Sequence, residues 1–164
     1  MKTSMMARAT TTVVKVGALA AAVIATTLLV YSIFPSSNSP AGELTPDDPE
    51  IVRSGIEVYA AQCAACHGAQ LEGQPDWRRR GADNRLPAPP HDASGHTWHH
   101  PDDMLITITK HGPAAVLSSP YESNMPAYAG VLSDADIRAV LSYIKSTWPA
   151  EIRRYQDTIN QQAR

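Results

Sequence analysis

The sequence predicts an all-α fold, with helices joined by long loops and preceded by one N-terminal transmembrane helix. Three observations predict this fold class. Apolar residues recur at helical spacing in residues 49–63 and 133–148. Residues 68–131 between them hold eight of the 13 prolines and six of the nine glycines, which is typical of loops. No segment alternates apolar and polar residues for long enough to form a sheet.

Residues 1–34 predict a membrane anchor. Within them, residues 16–34 read VGALAAAVIATTLLVYSIF and carry no charge. As a helix they would span roughly 28 Å, close to the hydrocarbon thickness of a bilayer. Three cations and no acid precede this run, which predicts a cytoplasmic N-terminus and export of the rest. The alternative is a cleaved signal peptide, but the small-residue sites at 18–22 lie too early in the apolar run.

Residues 35–48 predict a flexible linker. With Pro49 they contain four prolines, three serines and three acids. This composition favours neither helix nor strand, so we expect a solvated tether. It would hold a folded domain, residues 49–148, near the membrane. The formal net charge of -2 argues against nucleic acid as a partner.

Capping residues mark where the domain's helices begin. Asp48 can cap a first helix that starts at Pro49 and runs into residues 63–67. Residues 101–112 predict a short helix that ends at a glycine. These signals predict one well-defined helix and one short helix within a chain rich in loops.

The last long helix has a similar signature. Ser133 and Asp136 form a capping-box pattern, and Pro149 ends the helix. Residues 149–164 could form a short tail helix packed on the domain or on a partner. Its apolar residues at helical spacing are Ile152, Tyr155 and Ile159.

Residues 63–67 read CAACH and contain both cysteines of the chain. A dithiol oxidoreductase would place this motif after a strand, zinc would need further ligands, and a disulfide this short gains little stability. In the fourth interpretation, Cys63 and Cys66 add to the vinyl groups of a haem and His67 ligates its iron. A haem would also supply the apolar centre that a small, loop-rich domain needs. The motif therefore favours covalent haem.

A second axial ligand is expected farther along the chain. Met125 lies in SNMPAY, a loop of small and polar residues in which Pro126 stiffens the backbone. Met104 lies on the apolar face of the short predicted helix, where a core position is the simpler interpretation. His111, at the end of the same helix, is an alternative ligand. The pattern favours Met125.

Residues 50–146 resemble the single-haem class I c-type cytochromes. The resemblance is carried by Gly55 and Tyr59 ahead of CAACHG, by MPAY at 125–128, and by LSDADIRAVLSYI at 132–144. It implies a cytochrome c-like fold with loops around one covalent haem c. It also implies that the first helix crosses the last one closely, near Tyr143.

The stretch LPAPPH at 86–91 resembles the family's proline segment, whose carbonyl accepts the N–H of the proximal imidazole. The resemblance implies Pro89 for this role, with Pro87 as the alternative. Such a bond selects the tautomer of the ligand and raises its basicity.

The loop HDASGHTWHHPDD at 91–103 departs from small soluble cytochromes and resembles a subset of membrane-anchored bacterial cytochromes c. We expect Trp98 to pack near the haem edge, with a hydrogen bond to a propionate as one role. A polar turn that caps the following helix is the simplest interpretation of the loop. Copper binding is a third, since imidazoles suit that metal. The candidate ligands are His96, His99 and His100.

The expected function is electron transfer rather than catalysis. With His67 and Met125 on both axial positions, no site remains for a substrate, and a thioether ligand raises the reduction potential. The raised potential points to the oxidising end of a respiratory chain, with the protein as donor to a terminal oxidase or as acceptor from a dehydrogenase or a quinol-oxidising complex. The location would be the bacterial inner membrane, with the haem domain on the periplasmic face.

Three other functions remain open from the sequence. The chain could be the electron-transfer subunit of a periplasmic oxidoreductase. It could be a haem enzyme or a haem sensor if Met125 does not bind iron. It could handle copper through residues 91–103, the histidine loop.

Overall fold

The structure is a computed structural model that describes residues 43–117 and 121–164. The predicted anchor and linker residues 35–42 lie outside the described residues. Within them the chain is helical, as predicted, and the only pairing besides helices is an isolated bridge between Ala129 and Leu132. The helices are α1 (Pro49–Gln62), α2 (Ala64–His67), α3 (Asp102–His111), α4 (Asp134–Ser146) and α5 (Ala150–Gln162), with 3-10 turns at Thr97–His99 and Pro113–Ala115. No helix in these ranges has the length and apolar run needed to cross a bilayer.

The predicted caps of α1 and α4 are confirmed. The Asp48 carboxylate accepts hydrogen bonds from the backbone N–H groups of Glu50 and Ile51, at 3.0 and 3.2 Å. Ser133 and Asp136 form a reciprocal capping box at the start of α4. Each cap satisfies backbone donors that a helix start leaves unpaired.

The core is centred where α1 crosses α4. A Cβ atom on Gly55 would collide with the Ala139 carbonyl oxygen and lie 2.7 Å from the Tyr143 Cβ. The Tyr59 ring meets the Tyr143 ring edge-on, with centroids 5.5 Å apart. The close crossing predicted near Tyr143 is therefore confirmed. The buried cluster around it comprises Leu44, Tyr59, Leu71, Leu105, Ile137, Val140, Leu141, Ile144 and Trp148.

Residues 43–48, the described end of the predicted linker, pack against the domain. Leu44 is 4% exposed and belongs to the core cluster. Its N–H donates to the Asp102 carboxylate at 3.2 Å, and the Thr45 N–H donates to the Ser142 hydroxyl at 3.0 Å. These contacts join the start of the domain to α3 and α4.

The tail forms a full helix, α5, that packs through a polar residue. Gln156 is 0% exposed, and its amide donates to Asp102 at 2.6 Å. Ile152 packs against the core, whereas Tyr155 is 51% exposed. α5 thus packs on the domain, one of the two predicted alternatives, through Ile152 of the apolar stripe and through the buried Gln156.

Candidate haem site

The CAACH segment forms a helical turn that continues from α1. Cys63 donates its N–H to the Tyr59 carbonyl at 2.9 Å, and His67 donates to the Cys63 carbonyl at 2.9 Å. Cys63 and Cys66 therefore stand three residues apart on one helical face. Cys63 is half-buried, Cys66 is exposed, and neither forms a disulfide. Two thiols on one face, beside an imidazole, can hold a single planar group.

The thiols do not have the character of a redox dithiol or a zinc site. Burial, with the neighbouring Cys66, raises the pKa of Cys63 to about 11, whereas reactive dithiols have a lowered pKa. The described ranges contain no strand to precede the motif and no group of three or more His, Cys, Asp or Glu side chains able to hold a metal ion. Neither alternative gains support from the structure.

Tyr59 braces the turn that follows the motif. Its hydroxyl donates to the Gly68 carbonyl at 2.8 Å, and Gly68 has a φ of 81°. Burial raises the pKa of Tyr59 well above its ordinary value, so the hydroxyl remains a donor at any physiological pH. This bond holds the residue after His67 against α1.

His67 is buried and has a defined tautomer. Its Nδ1 atom lies 2.8 Å from the Pro89 carbonyl oxygen, and the residue is 8% exposed. Because a carbonyl can only accept, Nδ1 carries the proton and the lone pair is on Nε2. Burial lowers the pKa of His67, against a smaller opposite effect of the Pro89 bond. The side chain is thus a neutral imidazole with Nε2 able to bind a metal.

The position of the Pro89 carbonyl is set by the loop after α2. The His91 N–H donates to the Leu71 carbonyl at 2.8 Å, and the Gln74 N–H donates to the Ala88 carbonyl at 2.9 Å. Gly73, with a φ of 69°, lies so close that a Cβ there would collide with the Pro90 nitrogen. The proline segment is therefore held against the CAACH segment by backbone contacts.

The loop that carries Met125 returns to the same region. Met125 is half-buried, and its N–H donates to the Ser123 hydroxyl at 3.0 Å. Three residues later, the buried Tyr128 donates its hydroxyl to the Gln62 carbonyl at 2.8 Å, directly before Cys63. Burial, together with proximity to the two thiols, raises the pKa of Tyr128. The end of the loop that carries Met125 is thus anchored beside the cysteines.

The histidine loop packs on α5. Trp98 stacks on His99 with ring centroids 3.8 Å apart and meets the Tyr155 ring edge-on at 5.7 Å. Its indole N–H donates to the Ala93 carbonyl at 3.3 Å. No histidine caps α3, whose N-cap is Pro101 without a side-chain hydrogen bond. The predicted role of this loop in capping α3 is therefore wrong, because the backbone N–H at the start of α3 finds its acceptor outside the loop.

The three candidate copper ligands lie near one another without forming a metal site. The His96 ring lies 5.0 Å from the His99 ring and 4.8 Å from the His100 ring, between centroids. No group able to hold a metal ion is found among residues 43–117 and 121–164. The copper interpretation gains no support from this arrangement.

Sequence reasoning assigned no role to His91, although it ends the LPAPPH segment. Its ring stacks on His67, with centroids 4.0 Å apart and an interplanar angle of 22°. Its carbonyl accepts the indole N–H of Trp148 at 2.8 Å, and its Nδ1 lies 2.7 Å from the Thr97 hydroxyl. The histidine thus links the proline segment to the end of α4. No local sequence signal predicts a contact between residues so far apart.

These residues fit a covalent haem, because the thiols share a face and the lone pair of His67 is on Nε2. The fold and the site together define a monohaem c-type cytochrome domain, and its cofactor is covalently bound haem c. Residues 50–144 match the family described as cytochrome c oxidase, cbb3-type, subunit III, and the chain belongs to this family.

Curated relatives are subunits of cbb3-type cytochrome c oxidase. The chain is 27% identical over 105 residues to subunit FixPc of Rhizobium leguminosarum bv. viciae, covering 62% of this chain and 30% of the relative. It is 28% identical over 101 residues to subunit FixP of Rhizobium meliloti (strain 1021), covering 62% of this chain and 29% of the relative. The match thus spans less than a third of each of these relatives. No solved structure gives a significant match.

Proposed function

We propose that the domain transfers single electrons in a respiratory chain, with His67 Nε2 and Met125 Sδ as the axial ligands of its haem c. The observation that carries this proposal is the 2.8 Å contact between His67 Nδ1 and the Pro89 carbonyl, because it directs the lone pair to Nε2. When bound, the haem supplies a reversible one-electron couple. Cys63 and Cys66 tether it, and Pro89 keeps His67 basic and oriented.

Met125 is the proposed second ligand because its loop returns to the cysteines. The Tyr128 hydroxyl bonds the carbonyl of Gln62, the residue before Cys63, at 2.8 Å. Methionine favours ferrous iron relative to a second histidine, so the proposed site has a comparatively high potential. With both axial positions taken by side chains, the domain acts as an electron carrier rather than as an enzyme.

The proposed acceptor is a terminal oxidase. The relatives are by name subunits of cbb3-type oxidases, which favours an electron-transfer subunit over an independent carrier. The uncharged run at 16–34 supports a membrane anchor, and the cations before it support a periplasmic haem domain. Purification from mild detergent tests this arrangement. Co-purification with an oxidase core is expected, and a chain that elutes alone and lacks any such partner contradicts it.

The ligands are tested by spectroscopy and a redox titration of Met125→Ala, with Met104→Ala as the control. The ferric wild-type protein should show the weak far-red charge-transfer band that marks an iron–thioether bond. Met125→Ala should lose the band and shift to a lower potential, whereas Met104→Ala should keep both. Retention of the band in Met125→Ala would exclude Met125 as the ligand.

Covalent attachment is tested separately. Acidified organic solvent should leave the pigment on the denatured wild-type chain. Cys66→Ser should retain one thioether and change the absorption of the reduced pyridine adduct. Pigment that extracts completely from the wild-type chain would exclude attachment through the CAACH segment.

A further inference from the structure

We infer that Arg85 is the positioning residue that holds the methionine loop, residues 121–128, closed over the haem site. The inference rests on the proposed ligation by Met125. Arg85 lies in the loop that precedes the proline segment, far from Met125 in sequence. Its guanidinium nevertheless reaches the residue directly before the methionine.

Arg85 contacts the methionine loop at two points. Its Nη1 donates to the Asn124 side-chain oxygen at 2.8 Å, and its Nε lies 3.6 Å from the Glu122 carboxylate. That Nε is buried and has no hydrogen-bond partner within the part of the chain that the structure describes. A guanidinium can address two acceptors from one rigid fork, which a lysine cannot do. The geometry thus needs arginine and not only a positive charge.

Asp83 holds the backbone of Arg85 in place. Its carboxylate accepts the Arg85 backbone N–H at 3.1 Å. That hydrogen bond is the main cause of the lowered pKa of Asp83. Asp83 thus fixes the backbone of Arg85, whose side chain reaches Asn124. Met125 follows directly in the chain.

The methionine loop has few other attachments. Residues 121–127 make no backbone hydrogen bond to another segment within the described ranges. Tyr128 anchors the far end of the loop through its hydroxyl on Gln62 and its N–H on Thr109. Within the described residues, side chains hold the near end: Arg85 supplies two contacts, and the Arg80 guanidinium lies 5.7 Å from the centroid of the Tyr121 ring. Losing the two Arg85 contacts should let the loop open more often, with Tyr128 as the hinge.

Imidazole binding to the ferric protein measures this opening, because imidazole can bind iron only after the methionine leaves. Arg85→Gln should bind imidazole roughly two- to fivefold more tightly than the wild-type protein, which is the size expected for partly exposed contacts. Arg79→Gln is the matched control, since Arg79 is exposed on the same loop and the charge change is identical. It should bind imidazole like the wild-type protein.

Two further variants test whether the guanidinium matters beyond its positive charge and whether the result survives a folding defect in Arg85→Gln. Arg85→Lys should behave like Arg85→Gln, and wild-type behaviour of Arg85→Lys would overturn the inference. Asn124→Ala should also bind imidazole more tightly, and adding it to Arg85→Gln should give less than the product of the two effects. Full additivity would overturn the inference. If Arg85→Gln does not fold, as judged by far-UV circular dichroism, the Asn124→Ala and Arg85→Lys results decide.

The wild-type spectrum separates this inference from the proposed function. Absence of the ferric far-red band in the wild-type protein would overturn the ligation by Met125, and the role of Arg85 with it. If the band is present while Arg85→Gln and Arg79→Gln bind imidazole equally, only the role of Arg85 is overturned.

Discussion

At the scale of single residues, the Pro89 carbonyl decides which nitrogen of His67 carries the free lone pair. The acceptor lies 2.8 Å from Nδ1, and its position depends on the close approach of Gly73 to the proline segment. Gly73 has a φ of 69°, in the left-handed region that favours glycine. A side chain at this position would both strain the backbone and push the proline segment away.

Gly73→Ala should therefore cost more stability than Gly130→Ala. Gly130 also has a positive φ, of 80°, but a Cβ there would meet nothing within 4 Å. Backbone strain alone should cost Gly130→Ala about 1–2 kcal/mol. Gly73→Ala adds the collision with Pro90 and should cost about 1–3 kcal/mol more. Denaturant unfolding of the two holoproteins measures both values, and equal losses would show that the collision is relieved without cost.

The histidine loop should make stability depend on pH. Burial is the main cause, followed by the neighbouring histidines, of the lowered pKa values of His96 and His100. A histidine with a lowered folded pKa stabilises the fold fully above its unfolded pKa of about 6.5, and that stability falls as the pH drops through this value. The thermal midpoint should therefore fall between about pH 7 and pH 5.

The double variant His96→Asn, His100→Asn tests this pH dependence. It should make the decline in the thermal midpoint shallower without abolishing it, because two ionisations are removed while His91, whose burial lowers its pKa well below the usual value, still titrates. His111→Asn, in the exposed last residue of α3, serves as the control with one histidine replaced elsewhere. An unchanged slope in the double variant would assign the decline to other groups.

At the scale of elements, the crossing of α1 and α4 fixes the position of α1, and α1 in turn fixes the position of the CAACH segment. Gly55 faces the Ala139 carbonyl with no room for a methyl group. α1 continues directly into the CAACH turn through the bond from Cys63 to Tyr59. A change in the crossing would therefore move both cysteines.

Gly55→Ala should destabilise the fold although alanine is the better helix former. The gain in helix propensity is about 1 kcal/mol, whereas the forced separation of packed helices costs about 2–4 kcal/mol. Ser54→Ala, on the exposed side of α1, gives the opposite case and should stabilise by a few tenths of a kcal/mol, roughly. Thermal unfolding compares the two, and a stabilised Gly55→Ala variant would mean that the helices can separate freely.

At the scale of the whole domain, one buried carboxylate joins four segments. Asp102 is 5% exposed and accepts bonds from the Leu44 backbone and the Gln156 side chain. Lys145, 4% exposed, lies 3.9 Å from Asp102 and bonds Asp157 at 2.7 Å. Residues 43–48, α3, α4 and α5 meet at this polar cluster. It explains why a mostly polar tail helix packs on the domain.

Asp102→Ala should cost about 2–4 kcal/mol, because it leaves two buried donors without this acceptor, while the Lys145 ammonium keeps its bond to Asp157. Asp103→Ala removes the neighbouring exposed acid of the same helix turn and should cost at most about 1 kcal/mol. Chemical denaturation at neutral pH measures the difference. Similar losses for the two variants would mean that water replaces the buried contacts.

Whether a feature can be predicted from the sequence depends on whether a short pattern or the family resemblance encodes it. The caps, the helix crossing and the Pro89 contact follow from short patterns or from the family resemblance, and the structure contains all three. The structure also brings Trp98 and Tyr155 together, at 5.7 Å between ring centroids, a contact that no pattern predicted. Their partners depend on the arrangement of helices, which no local pattern encodes.

Local sequence patterns are sufficient to predict the helical class of the domain, the starts of its helices and covalent haem at the CAACH segment, since these depend on residues within one or two turns of each other. The packing of the helices was needed to reveal the stacking of His91 on His67, the contact of Arg85 with the methionine loop and the burial of Asp102 beneath α5. Each of these joins segments distant in the chain. Their energies depend on burial and on distances set by the packing of all the helices together.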